Sequence, residues 1–191
     1  MEKIIEIIDR FQPLCEQEKK DKELILSAVK KQGSSILSRE SELFHITVSG
    51  FTVNKEKSKT LMVFHNIYNS WSWIGGHADG ERNFLEVALR EAREETGIEH
   101  IFPADQNIIS LDILTTKGHW KKGSYVAPHL HMNLTYLLIG DETDKIRKKE
   151  DENKAVGWIL REEVEKKVTE PEMNLVYKKI WERISRERKN Q

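Results

Sequence analysis

Three glutamates stand at the spacing i, i+3 and i+4 in the run Arg90-Glu91-Ala92-Arg93-Glu94-Glu95. On a helix this spacing gathers their carboxylates on one arc, where each like-charge pair lowers helix stability by a few tenths of a kcal/mol. A hard divalent cation with oxygen ligands is the natural compensation, and Mg²⁺ takes a few carboxylates together with water and substrate phosphate. The competing reading is an ordinary solvated face, because Arg90 and Arg93 are interleaved with the acids and Arg90 is in helical reach of Glu86 and Glu94. Charge elsewhere favours the first reading. Residues 74–100 hold seven acids against three bases, whereas residues 117–131 hold Lys117, Lys121, Lys122, His119, His129 and His131 with no acid, alongside Trp120 and Tyr125. The first stretch asks for a cation and the second for an anion.

Elements able to position these groups follow from periodicity and punctuation. Apolar spacing predicts helices over 2–12 and 21–31, broken around Pro13 and Gly33. β-Branched and aromatic residues predict strands over 43–53 and 60–65, with a turn at 66–70 before Trp71, Trp73 and Ile74. The acidic helix is expected over 83–96, with Leu85, Ala88, Leu89, Ala92 and Thr96 as its core stripe and Gly97 as a left-handed stop. Gly75 and Gly76 are expected in a loop just before it, where the backbone can approach a ligand closely. Further strands are expected at 107–115, 129–139 and 155–159, and a helical tail over 161–188 interrupted near Pro171. Strands around one central helix, with helices at both ends and no internal repeat, make a mixed α/β fold.

At this point the residues resemble the Nudix hydrolase signature, a glycine-to-aliphatic motif of fixed spacing. Gly76, Arg90, Glu91, Glu94, Glu95, Gly97 and Ile98 stand at its positions. Two positions depart: Arg82 occupies the place of the first glutamate, with Glu81 displaced by one residue, and the small Ala92 replaces an aliphatic residue. Family members use that first glutamate to brace the loop against the signature arginine, and Glu81 is available for this after a shift of register.

The resemblance implies an α/β/α sandwich with a central mixed β-sheet, plus N-terminal and C-terminal helices. The resemblance covers a Nudix core (43–165) and not the two ends; length and helical periodicity add a helical extension (1–40) and a C-terminal helix (166–191), making one domain over 1–191. It further implies Mg²⁺ or Mn²⁺ held by Glu91, Glu94, Glu95 and the Gly75 carbonyl, and hydrolysis of a nucleoside diphosphate linked to another group. That reaction also follows from the residues, since a metal among carboxylates neutralises pyrophosphate charge and lowers the pKa of the water that attacks phosphorus. Arg90 is counted with the three glutamates as catalytic. The general base is one of the glutamates or a late acid such as Glu152 in the acidic loop 141–152.

Several residues carry two readings. His77 either touches phosphate or is structural. His129 and His131 alternate along a strand and point to one side of the sheet, as a neutral hydrogen-bonded pair beside the cleft or as part of a metal site. Trp120, Lys121 and Lys122 are expected to grip substrate, with Trp120 or Tyr125 stacking on a base. Trp158 reads as core. Cys15, the lone cysteine, reads as a small residue on a helix face.

Composition sets the outer limits. The 191 residues are 38% hydrophobic and 33% charged, with a formal charge of −1 and mean hydropathy −0.62. A balanced charge gives no field to attract nucleic acid or an anionic membrane. No apolar run approaches the roughly 18 residues a membrane span needs, and the acidic start does not read as a signal peptide, so a cytoplasmic protein acting on a small nucleotide-type molecule is expected. The C-terminal helix suits docking on the sheet or on a second copy, which leaves a homodimer open. Two other classes fit the residues less well. A non-catalytic nucleotide-binding module would not need all three glutamates, and a diphosphate-lipid isomerase would need a cysteine near the glycines, where this chain has none.

Overall fold

The computed structural model describes residues 1–66, 69–121 and 123–187; Ile67 and Tyr68 of the expected 66–70 turn, Lys122 and the last four residues lie outside the described residues. Two helices, α1 (Glu2–Arg10) and α2 (Glu16–Gln32), come first. α2 begins five residues before the expected start, because Glu16 and Glu18 fill its first turn, where acids complement the positive end of the helix but carry no apolar signal. Cys15 is the exposed residue that precedes this helix, not a residue of its face.

The sheet is built from β1 (Phe44–Asn54), β2 (Lys59–His65), β3 (Ser70–Ser72) and β4 (Ile74–His77), with β5 (Ile101–Thr116), β8 (His129–Gly140) and β9 (Asn153–Leu160). β6 (His119–Lys121) and β7 (Ser124–Val126) form a separate two-stranded ribbon. In the seven-stranded sheet the order is β3-β2-β1-β8-β5, with β4 on β1 and β9 on β2. β1 and β8 run parallel, with His45 opposite His131 and Thr47 opposite Asn133, and the other pairs are antiparallel. The fold is a mixed sheet with flanking helices. β1 pairs with β4 from Thr47 to Gly50 and with β2 at Val53, so the sheet splits along β1.

The split corrects one expectation: Gly75, Gly76 and His77 lie in β4, not in a loop, and pair with Ser49, Val48 and Thr47. Two glycines in succession gave no strand signal, since a strand is normally read from its β-branched and aromatic side chains. A second correction concerns 117–128, where β6 and β7 form in a stretch with no expected strand, while β8 begins at His129 as expected. β5 also starts at Ile101, six residues early, where Pro103 and the polar 104–107 stretch obscured it.

Alternation sorts the core onto both faces of the sheet. Ile46, Val48, Leu61, Val63, Leu134, Tyr136 and Leu138 pack with α1, α2 and the acidic helix α3 (Phe84–Thr96). Phe51, Val53, Met62 and Leu137 pack instead with Val176, Tyr177, Ile180 and Trp181 of α5 (Pro171–Glu187), which follows the short α4 (Val164–Lys167). Pro171 opens α5 rather than interrupting it, since its fixed φ and missing N–H suit a first helical position.

The two ends of the chain meet over β5, the edge strand. Glu18 of α2 and Asp112 of β5 are buried, and Lys179 of α5 contacts both, its Nζ 3.2 Å from Glu18 Oε1 and 2.5 Å from Asp112 Oδ1. Arg183 completes the group at 2.6 Å from Glu18 Oε2. Removing one partner strands a buried charge, which costs about 3–5 kcal/mol. Lys179→Met is therefore expected to lower the urea midpoint by that free energy; an unchanged midpoint would mean that the network does not hold the ends in place.

Candidate functional site

α3 presents its carboxylates at three depths. Glu95 is only 4% exposed, and both of its oxygens are engaged: the Gly75 N–H donates to Oε1 at 3.2 Å and the Asn153 side-chain amide to Oε2 at 3.0 Å. Burial pushes its pKa up to about 7 despite those two donors. Glu91 is half-buried and its carboxyl is also pushed up by burial, with Arg90 opposing at 3.2 Å. Glu94 is exposed, 3.8 Å from Arg90 Nε. Arg90 also pairs with Glu81, so the displaced acid does meet the signature arginine. At the C-terminus of α3, Gly97 takes φ 69° and ψ 7° and ends the helix in the left-handed form.

β4 lies across these carboxylates. A Cβ on Gly76 would stand 2.5 Å from the Glu91 carboxyl carbon, so any larger residue there must push the Glu91 carboxylate aside. Glycine here serves close approach rather than unusual backbone geometry. Beside it opens a cleft of about 180 Å³, lined by Gly75, Gly76, His77, Glu95, Glu152, His131 and Asn133, with Glu170 and Met173 from the start of the α5 segment. Glu152 faces this cleft with an ion pair to Lys149 at 3.1 Å.

The cleft wall is a polar stripe on a sheet face that is otherwise apolar. Odd positions of β1 run His45, Thr47, Ser49 before turning to Phe51 and Val53; those of β8 run His129, His131, Asn133, Thr135 before Leu137. The Asn133 carbonyl oxygen accepts from Thr47 at 2.9 Å and from Ser49 at 3.0 Å. Higher on the same stripe His129 Nε2 and His131 Nε2 are 3.0 Å apart, and His45 and His77 complete a cluster with ring centroids 4.9–5.1 Å from one another. Burial and the neighbouring imidazoles push His131 down to about 2, and burial lowers His45.

Trp120 and Tyr125 face each other across the β6–β7 ribbon, centroids 5.7 Å apart, and are 73% and 58% exposed. Tyr125 lines the larger cavity above the cleft, whereas Trp120 stands outside it. Lys121 belongs to β6, and Lys122 lies outside the described residues.

Of the residues singled out in the sequence, the structure thus lines one cleft with Gly75, Gly76, Glu95, His77, His131 and Glu152, places Glu91 against Gly76 and Arg90 against Glu91, and sets His129 beside His131. Glu94 is exposed beside Arg90, and Trp120 is separate. Three participants have no counterpart in the sequence reading. Asn153 left no signal, because an asparagine at a strand start is unremarkable. His45 was visible in the His-Ile-Thr-Val-Ser alternation of 45–49, had its polar positions been compared with those of 129–135. Arg39 holds Asp79 through bonds of 2.7 and 2.5 Å, in a pairing forty residues apart that spacing cannot anticipate.

A sequence model of the NUDIX domain matches residues 43–180. The chain therefore belongs to the Nudix hydrolase family, whose members generally use a divalent metal. The mouse bis(5'-nucleosyl)-tetraphosphatase [asymmetrical] is 34% identical over 95 residues, a stretch that is 49% of this chain and 57% of that protein, so the similarity spans little more than half of the relative. Among solved structures, a C. elegans Ap4A hydrolase binary complex superposes with a TM-score of 0.55 at 16% identity, covering 73% of this chain and 97% of the other. A NUDIX-family hydrolase from Clostridium perfringens gives 0.50 at 20%, covering 71% and 95%. At these identities the structures speak for the fold.

The close passage of β4 generates a direct test. Gly76→Ala must displace the Glu91 carboxylate, whose end is flexible, so the fold should stand while the site is misplaced by a fraction of its own dimensions. Turnover of a competent substrate is expected to fall on the order of 10²-fold with little change in Tm, and wild-type turnover would show that the Glu91 position is uncritical.

Proposed function

We propose that this chain is a Mg²⁺- or Mn²⁺-dependent hydrolase that cleaves a diphosphate bond in a nucleoside diphosphate linked to another moiety. The observation that carries this reading is the placement of Glu91 and Glu95 against the glycine strand β4, with Glu95 in the wall of the cleft and Glu94 exposed on the same helix. The donor set suits the cation: hard oxygens, crowded on one helix and partly withdrawn from water, where their mutual repulsion is poorly screened. Glu91, Glu94, Glu95 and the Gly75 carbonyl would hold it. When bound, a divalent cation offsets charge on the pyrophosphate oxygens and acidifies the attacking water.

The remaining work falls to the chain itself. Arg90, tied to Glu81 and Glu91, keeps the outer carboxylate from turning away into solvent. The proton leaving the water is accepted by a cleft carboxylate, from among the three glutamates and Glu152. Asn153 and the Gly75 N–H hold Glu95 in one orientation, which preorganises the cleft wall. The same reading treats 1–191 as one domain in a cytoplasmic, nucleotide-directed enzyme, with no nucleic acid or membrane as partner. Among the described residues no helix is long and apolar enough to cross a membrane.

The mouse and C. elegans relatives direct attention to dinucleoside polyphosphates within a wider panel of nucleotide sugars and nucleoside triphosphates. With the best substrate found, Glu94→Gln and Glu95→Gln are each expected to lose on the order of 10² to 10⁴ in rate while folding normally. Mg²⁺ or Mn²⁺ should also raise the Tm of the wild type without substrate and fail to do so in a Glu91→Ala, Glu95→Ala double variant. Nucleotide binding without turnover across the panel would favour a non-catalytic module instead.

Trp120 and Tyr125 are assigned to the far end of the substrate, as an aromatic platform for a base. Stacking is worth roughly 1 to 3 kcal/mol per base, so Trp120→Ala is expected to raise KM at nearly constant kcat. Unchanged kinetics would leave the ribbon without a substrate role.

A further inference from the structure

The chain has seven histidines, and six of them, His45, His65, His77, His119, His129 and His131, line one cavity of about 600 Å³ that shares His65, His77 and His131 with the glutamate cleft. Four come from three different strands, and one ring nitrogen from each of His45, His77 and His131 lies within 4.8 Å of the other two. Convergence from β1, β4 and β8 is not a product of local sequence.

Their protons can be placed. His45 Nδ1 is 3.0 Å from the Ser41 carbonyl and His129 Nδ1 is 2.8 Å from the Ala127 carbonyl. A carbonyl only accepts, so both Nδ1 atoms carry hydrogen and both Nε2 atoms are left with a lone pair. His129 Nε2 takes its hydrogen bond from His131 Nε2 at 3.0 Å, which leaves His131 its other ring nitrogen unprotonated. His45 is 4% exposed, and its Nε2 is buried with no hydrogen-bond partner. A buried acceptor without a donor is costly, and here it is surrounded by further imidazoles. A ring nitrogen held by a backbone carbonyl, as in His45, or by a neighbouring ring, as in His131, is the arrangement in which a metal-ligating histidine is oriented by its other nitrogen.

We propose that His45, His77 and His131 form a second metal site, distinct from the glutamates, for an imidazole-preferring divalent ion of the Zn²⁺ class. His129 positions His131. Imidazole sets favour Zn²⁺, Co²⁺, Ni²⁺ and Cu²⁺, whereas Mg²⁺ prefers oxygen, so the two sites sort two kinds of cation. Zn–N bonds of about 2.0–2.1 Å place tetrahedral ligand atoms roughly 3.3–3.4 Å apart, so the three rings draw together by an ångström or so on binding. Three protein ligands leave a fourth position open toward the cavity, within reach of whatever group extends from the neighbouring cleft.

The test uses Co²⁺ and Zn²⁺ alone as probes. Chelator-treated full-length protein in excess Mg²⁺, which keeps the carboxylates occupied, is titrated with Co²⁺. The expected result is a visible d–d band that Zn²⁺ displaces. The band should persist in Glu91→Gln, Glu95→Gln, while His45→Ala, His131→Ala should bind on the order of 100-fold or more weakly with an unchanged circular dichroism spectrum. Absence of a Mg²⁺-resistant band in the wild type, its survival in the histidine variant, or its loss in the glutamate variant alone would overturn the proposal. If the histidine variant does not fold, ¹⁵N imidazole shifts of the wild type decide: Zn²⁺ must move His45, His77 and His131, and unmoved resonances refute the site.

Discussion

A carboxylate removed from water holds this fold's functional end together. Glu95 sits at the end of α3 and is bound by the N–H of Gly75 on β4 and the amide of Asn153 on β9, segments 20 and 58 residues away in sequence. Two hydrogen bonds to a charged group are each worth about 1.5–3 kcal/mol, yet burial still drives the acid's pKa to about 7. The interactions therefore orient Glu95 more than they stabilise it as an anion. The balance left over is an electrostatic demand for positive charge at that point, and Arg90 meets only its outer part, at Glu91 and Glu94.

Everything around Glu95 follows from keeping that demand accessible. β4 has to pass directly over α3, where Gly76 leaves the Glu91 carboxylate in place; it has to pair with β1 while β2 moves to the far end of the same strand, which splits the sheet and opens the cleft. One sheet face then serves two purposes. Its apolar half seats α5, and its polar half, the odd positions of β1 and β8, is left facing the opening. Had α5 continued over the whole face, His45, Thr47 and Asn133 would have been buried against an apolar helix, a placement polar groups without partners resist.

The parts legible in the sequence were those written in local patterns. The acidic helix, its glycine stop and its core stripe obey a 3.6-residue period that tertiary context reinforces, and the long strands β1 and β8 announce themselves through β-branched residues. Illegible parts were those in which the backbone, or a distant partner, decides. β4 is a strand because Ser49 and Val48 offer it hydrogen bonds, not because Gly75 and Gly76 prefer one. Asn153 matters only because Glu95 arrives beside it. The histidines at 129 and 131 were visible as a pair, but a cluster required the parallel register that sets His45 opposite His131, which no local pattern encodes.

The N-terminal extension enters the site by the same kind of indirect route. Glu18 of α2 binds Lys179 and Arg183 of α5, and Lys179 also binds Asp112 of the edge strand. α5 begins at Pro171, and Glu170 just before it and Met173 in its first turn line the cleft together with the glycine strand. Because side chains on one helix move together, clamping α5 through its middle fixes the position of its first turn. The buried ion pairs contribute little net stability once desolvation is counted, but their directionality gives α2, β5 and α5 a single mutual arrangement that an apolar contact of the same area would leave free to slide. The width of the cleft is thus set in part from the opposite end of the molecule, by helices that touch none of its chemistry.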